Sequence, residues 1–325
     1  GYGDSAKITF DKLNARDGSI GIDSKIWDVV LKSVTNAKNL EFIVRSVNQI
    51  AGSLNVSNLL NIITDNGVTL TSESNKVPQI SVVNNKSGDV LFMNNGDLTI
   101  NKAVNKAEKG NLVFANKGAV TAKEGLSSKG AALIWAKGDI DVQKDSDSKK
   151  WMGLYAENGG IKTKSLNVGS INLSASKNGL TAEDITSDDY IIADVKDGDI
   201  SVGTLSAAKG ETRLITQNGN VTANNINSDK SVTVLAYNGD LKVDTIKSRL
   251  GYVEAAGYNS FNANEIEAGS DFFVGSLGDV NITSLYAGKV EGEVNTELLD
   301  SYDLEAKTSY LIGKNLKVER INVEN

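Results

Sequence analysis

Five aspartates, Asp97, Asp139, Asp199, Asp240 and Asp279, each follow a glycine directly, in a chain that contains no histidine and no cysteine. Without histidine there is no Ser-His-Asp triad, no imidazole base and no histidine-ligated metal. Without cysteine there is neither thiol chemistry nor a disulfide, and an oxidising compartment is harmless to the chain. Carboxylates, Lys, Arg and Tyr remain, and these suffice for glycoside hydrolysis or polysaccharide lysis. Stacked, the five aspartates would form an interrupted acidic row, which reads as a carboxylate cleft, as a weak Ca²⁺ site or as repeated turn chemistry. Gly-Asp and Asn-Gly are turn formers, and a repeated turn repeats its residues. The turn reading is therefore preferred, with no residue assigned as catalytic or metal-binding and no cofactor expected.

The glycines that precede these aspartates belong to a longer series at 96, 118, 138, 159, 179, 198, 219, 239 and 278, with Asn259 dividing the last interval. The steps run from 19 to 22 residues, so the chain is an internal repeat of about twenty. Two places after each glycine come Leu98, Val120, Ile140, Ile161, Ile200, Val221, Leu241 and Val280, with Phe261 after Asn259. Four places after stand Ile100, Ala122, Val142, Thr163, Val202, Ala223, Val243 and Ile282, with polar residues between. Apolar, polar, apolar is the pattern of a half-buried strand. At the seventh place Leu166, Leu205, Ile226, Ile246, Ile266 and Leu285 require a bend that returns the chain to the same interior. The Gly179 coil fits through Leu180, Ala182 and Ile185 with one residue deleted.

A second apolar stretch precedes each glycine, as in LVFA at 112–115, ALIWA at 132–136 and SVTVLAY at 231–237. These runs are too short for helices and rich in β-branched residues. A unit of two short strands cannot enclose its own apolar face and must stack on copies of itself. The expected fold is all-β, a right-handed parallel β-helix (solenoid) with coils of about 20 residues. Leucine-rich repeats would need a helical half. A left-handed hexapeptide helix would need a six-residue subperiod, and a calcium-binding nonapeptide roll would need tandem G-G-x-G-x-D motifs.

One elongated domain over 1–325 is expected, with less regular coils or a cap at 1–75, regular coils at 76–286, and an irregular stretch before a final coil within 287–325. The stretch SKIWDVVLKSVTNAKN in the first part admits a short amphipathic helix, a cap or two irregular strands, of which strands are preferred. KNLKVERI at 314–321 restores the register. Beginning at Gly1 within repeat-like sequence, the chain reads as a mature or excised part of a longer protein.

The regular coils place further limits on chemistry. An enzyme needs loops that wall a cleft on a rigid scaffold, and from 96 to 278 no coil exceeds 22 residues. QKDSDSKKW at 143–151 reads as a solvated turn ending in Trp151, with ligand contact as the alternative. Tyr237 and Tyr258, 21 apart, form either a sugar-stacking pair or a stabilising stack. Glu254 interrupts an apolar alternation, and a slip that buries Val253 and Ala255 is expected. The N-x-S/T sequons at Asn55, Asn85, Asn172, Asn220 and Asn281 are what a chain rich in Asn, Ser and Thr produces by chance. A net charge of −7 without a basic stripe argues against nucleic acid. No stretch of 18 apolar residues exists, so no membrane insertion by this segment is expected.

Repeats such as NGNVTANNINSDKSVTVLAYNGDLKVDTIKS resemble those of large bacterial exoproteins of the filamentous-haemagglutinin type, exported by two-partner secretion, and less closely autotransporter passenger domains. The resemblance covers residues 88–286 well and rests on repeat texture. It implies a secreted or cell-surface β-helix from a virulence-associated adhesin, haem-acquisition protein or toxin carrier. It also implies an outer-membrane transporter as partner of the parent protein. The Asn-Pro-Asn-Gly type signature of the secretion domain is missing, since the sole proline is Pro78, and no functional residue carries over. The expectation is a non-catalytic segment of an adhesin, a rigid stalk or a section binding a host or neighbouring-cell glycan or protein receptor. The alternative is a carbohydrate-active enzyme, a polysaccharide lyase or hydrolase using acidic residues on one face.

Overall fold

The computed structural model describes residues 6–288 and 310–323, and among these every helix or strand assigned is a β-strand. The chain forms a parallel β-helix, a solenoid of coils of about twenty residues. By contacts it divides into two compact units, residues 1–169 and 170–325, with the same construction.

In the first unit, β8 (Leu98–Asn105), β10 (Val120–Ala122), β13 (Ile140–Val142) and β16 (Ile161–Thr163) pair in parallel, one coil to the next. Leu98 lies against Val120, Val120 against Ile140, and Ile140 against Ile161, all four buried. A second ladder runs through β7 (Val90–Asn94), β9 (Leu112–Asn116), β12 (Ala132–Ala136) and β15 (Met152–Ala156). Its inward residues include Phe92 and Phe114, which meet edge to face at 6.2 Å between ring centres. Each buried aliphatic contributes about 1.5–3 kcal/mol, and the parallel ladder satisfies the backbone between coils.

In the second unit the two short strands after each glycine fuse into one bent strand. Examples are β19 (Leu180–Ser187), β21 (Ile200–Ala207), β23 (Val221–Ser228), β25 (Leu241–Ser248), β27 (Ser260–Ala268) and β29 (Asp279–Ala287). The deletion expected at Gly179 is found, with Leu180 against Ile200, Ala182 against Val202 and Ile185 against Leu205. The final strand β31 (Asn315–Val323) returns to register, Leu316 beside Val280 and Ile321 beside Leu285. The irregular stretch expected before it falls largely on 289–309, outside the described residues.

Between residues 6 and 75 the regular elements are strands rather than a helix. β2 (Leu13–Leu31) pairs with β3 (Thr35–Gln49), and β3 with β4 (Leu54–Thr64), with register shifts at Ala15/Ser19, Ser24/Asp28 and Ala37/Asn39. Those shifts are why the region resists division into clean coils. Val29, Val30 and Leu31 are buried, and Asp28 on the outer side is held by Arg45 and, at 2.6 Å, by the Ser46 hydroxyl. Trading helix for strand here suits a run of β-branched residues.

Polar residues also enter the interior, at the corners. Asn84, Asn94, Asn105 and Asn116 are buried at strand ends, and each uses its amide to bind turn carbonyls, Asn84 donating also to Asn105 and Asn94 to Asn116. Ser128 and Ser148 do the same work further along, donating to Ala131 O at 3.1 Å and Trp151 O at 2.8 Å. A corner that turns sharply leaves carbonyls unpaired, and a short polar side chain placed inside satisfies them.

Candidate functional site

The five aspartates of the sequence stand where a turn needs an acceptor. Asp97 Oδ1 accepts from the Ala119 N–H at 2.9 Å, and Asp139 Oδ1 from the Gly160 N–H at 2.7 Å. In the second unit Asp199 Oδ1 accepts from Asn220 N–H at 2.8 Å, Asn220 Oδ1 from Asp240 N–H at 2.8 Å, and Asp240 Oδ1 from the Ser260 hydroxyl at 2.7 Å. Asp279 Oδ1 accepts from the Asn315 amide at 2.7 Å. Close packing accompanies some of these turns: a Cβ on Gly239 would meet the Gly219 backbone one coil below and one on Gly278 the Asn259 backbone, whereas Gly96 has open space.

The row has an internal rule. In each unit the acid is followed one coil on by a neutral residue, Ala119 after Asp97, Gly160 after Asp139, Asn220 after Asp199, Ser260 after Asp240 and Asn315 after Asp279. Successive carboxylates of a unit are thereby two coils apart, roughly 10 Å, or about one Debye length in 0.1 M salt. Paired carboxylates of glycosidases stand ~5 Å apart in retaining enzymes and ~6.5–9.5 Å apart in inverting ones, on either side of a walled groove. Among the described residues no group of three acidic side chains is disposed to hold a metal ion.

Glu254 lies on the outer face, between Thr233 of β24 (Val232–Ala236) and Phe273 of β28 (Phe272–Ser276), while its neighbours Val253 and Ala255 in β26 (Val253–Gly257) are fully buried. The expected slip is thus the arrangement found. Burial against these neighbours raises the Glu254 pKa, partly opposed by a hydrogen bond with Thr233. Burial likewise raises the Tyr252 pKa.

Tyr237 and Tyr258 occupy successive coils, the Tyr258 N–H bonding to Ala236 O and Leu277 N–H to Tyr258 O. Both rings are about half exposed, at 54% and 51%, and with Leu277, Leu235 and Ile312 they border a shallow apolar hollow of about 240 Å³.

QKDSDSKKW differs from the solvated turn expected of it. Ser146–Ser148 is a strand, β14, with both serines buried, Ser146 in register with Leu166 and Ser148 with Val168. Trp151 leaves that corner and packs beside Tyr155, ring centres 6.4 Å apart. Gly153 lies beneath the two rings, where any Cβ would collide with both. Trp135 on β12 is in register with Tyr155 and 39% exposed. Sequence reading missed this aromatic cluster as a unit, although Trp135 and Tyr155 lie one twenty-residue step apart.

The outer faces therefore differ. The ladder that contains β9, β12 and β15 turns Val113, Leu133, Trp135 and Tyr155 outward, whereas the ladder of β10, β13 and β16 turns out Thr121, Asp141 and Lys162. No family model, curated protein or solved structure matches this chain.

Proposed function

We propose that this chain is a non-catalytic segment of a large secreted or surface-displayed bacterial adhesin. It serves as stalk or receptor-binding section toward glycans or proteins of a host or neighbouring cell. The parent protein is exported by an outer-membrane transporter partner. One observation carries this reading: the repeated carboxylates are spent as turn acceptors, while Trp135 from a strand face, and Tyr237, Tyr258 and Leu277 from the turns after β24, β26 and β28, reach solvent. Exposed aromatic surface gains free energy by being covered, and a repeat offers many copies of one contact geometry, which favours avidity over turnover.

The test is retention of the labelled chain on cultured animal cells and on intact bacteria, alongside incubation with a panel of acidic and neutral polysaccharides assayed for new reducing ends or unsaturated uronates. Saturable retention without chain cleavage is the expected result. Turnover of any polysaccharide, or failure to be retained on every cell type, overturns the reading.

A further inference from the structure

One corner of the first unit gathers lysines. Lys106, Lys129 and Lys149 follow one another on consecutive coils, the Lys129 N–H bonding to Asn105 O and the Lys149 N–H to Ser128 O. Lys109 and Lys150 belong to the same turns, before Gly110 and after Lys149. Lys106, Lys109, Lys149 and Lys150 are exposed. The sequence shows the 20-residue step from Lys129 to Lys149, yet an overall charge of −7 conceals it.

The acids that face this corner do not cancel it. Glu108 is paired with Lys129, and the charges of Lys129 and Lys149 hold its carboxyl below the ordinary value. Asp147 accepts from the Ser127 hydroxyl at 3.1 Å, and Asp89 from the Asn111 N–H at 2.7 Å. Five lysines thus stand against one partnered glutamate at the turn itself.

The turns that display them are fixed from inside. Asn105 donates to Asn111 O at 2.8 Å across the first turn, Ser128 to Ala131 O across the second, and Ser148 to Trp151 O at 2.8 Å across the third and to Gly130 O of the second, also at 2.8 Å. Such pre-set turns lower the ordering cost of binding. The third turn runs Lys149–Lys150–Trp151 and leads without a break into the Trp151–Tyr155 cluster over Gly153.

We propose that this corner and the adjoining aromatic cluster form a binding site for an acidic polysaccharide, with its carboxylate or sulfate groups on the lysine row and a sugar ring on Trp151 and Tyr155. This rests on the adhesin reading and narrows its receptor class. Charge complementarity favours a polyanion, and an aromatic face takes up the apolar C–H face of a pyranose while the hydroxyls stay wet. The lysines advance by one coil, ~4.8 Å per step, against about 3.4 Å per phosphate along a duplex strand. Single-stranded nucleic acid is held by aromatics placed along a basic groove, whereas here the aromatics sit together at one end of the row.

Binding of the whole chain to chondroitin sulfate and polygalacturonate tests this, measured by tryptophan fluorescence and calorimetry over a salt series. Neutral dextran and an oligodeoxythymidylate serve as the contrasting probes. The acidic polysaccharides bind, dextran does not, and the combined variant Lys109→Gln, Lys149→Gln, Lys150→Gln loses about tenfold or more in affinity with a shallower salt slope. Trp151→Ala weakens binding without changing that slope, while Lys242→Gln in the second unit changes nothing. Equal binding by the triple variant, equal binding of dextran, or tighter binding of the oligonucleotide overturns the proposal. Retention on cells that survives the triple variant overturns it as the receptor site and leaves the adhesin reading intact. Polyanion binding without retention on any cell does the reverse.

Discussion

Asn84 and Asn105 are fully buried one coil apart, and the amide of Asn84 donates to Asn105 Oδ1 at 3.0 Å. Asn84 Oδ1 accepts in turn from the Gly67 N–H at 2.9 Å and the Thr64 hydroxyl at 3.2 Å. Its Nδ2 also reaches Ser87 O and Gly88 O, at 2.8 and 3.0 Å. One side chain thereby closes a corner and ties it to the next.

Replacing Asn84 by Ala orphans the Gly67 N–H and at least one turn carbonyl, and should cost about 1–3 kcal/mol. Asn84→Asp should be worse at neutral pH, because an acceptor-only carboxylate would face Ser87 O and Asn105 Oδ1, and it should recover on acidification. Chemical denaturation together with hydrogen exchange at Gly67 reads the effect. In a cycle with Asn105→Ala the coupling should be about 0.5–3 kcal/mol. A loss below about 0.5 kcal/mol would mean that water replaces the amide and the corner does not depend on it.

The acceptor row makes a different prediction. Asp199→Asn keeps an oxygen for the Asn220 N–H and should lie within about 0.5 kcal/mol of the parent, whereas Asp199→Ala removes the acceptor and should cost about 0.5–1.5 kcal/mol. Asn220→Asp would put a carboxylate directly after Asp199 and before Asp240. At ~4.8 Å in water each repulsion is about 1 kcal/mol, so this variant should be destabilised at low ionic strength and recover in 1 M salt. If Asp199→Asn were as damaging as Asp199→Ala, charge and not hydrogen bonding would be the purpose of the row.

The spacing of the glycines and of the aliphatics after them was enough to read the parallel coils, because each inward residue must lie over its equivalent or lose its burial. Leu98, Val120, Ile140 and Ile161 do so. The aspartates were legible as turn residues for the same reason. The interior asparagines were not, although Asn84 and Asn105 are 21 apart and Asn94 and Asn116 are 22 apart. Asparagine at a strand end looks like ordinary loop composition, and only the corner geometry reveals that it points inward. The aromatic cluster escaped because Trp151 belongs to a turn and reaches Tyr155 only across Gly153. The lysine corner escaped because the turn holding Lys106 and Lys109 is longer than the two that follow, which breaks the period in sequence but not in space.

Glu254 gives the chain a pH response whose sign is set by desolvation. Its carboxyl titrates above the ordinary value of 4.5 because half-burial beside Thr233 and Phe273 disfavours the anion, and the Thr233 hydrogen bond offsets this only in part. Between the unfolded and the raised folded pKa the native state holds the proton more tightly, so stability falls as pH rises through that interval. Glu254→Gln, which is neutral and can still bond Thr233, should therefore melt higher than the parent at pH 7. The difference should shrink as pH drops through the raised value and vanish below about 4.5. Melting curves of the two proteins from pH 3.5 to 8 measure it. A gap that widened on acidification would show that the carboxylate is held by a favourable partner in the folded state, and that desolvation is not what governs this position.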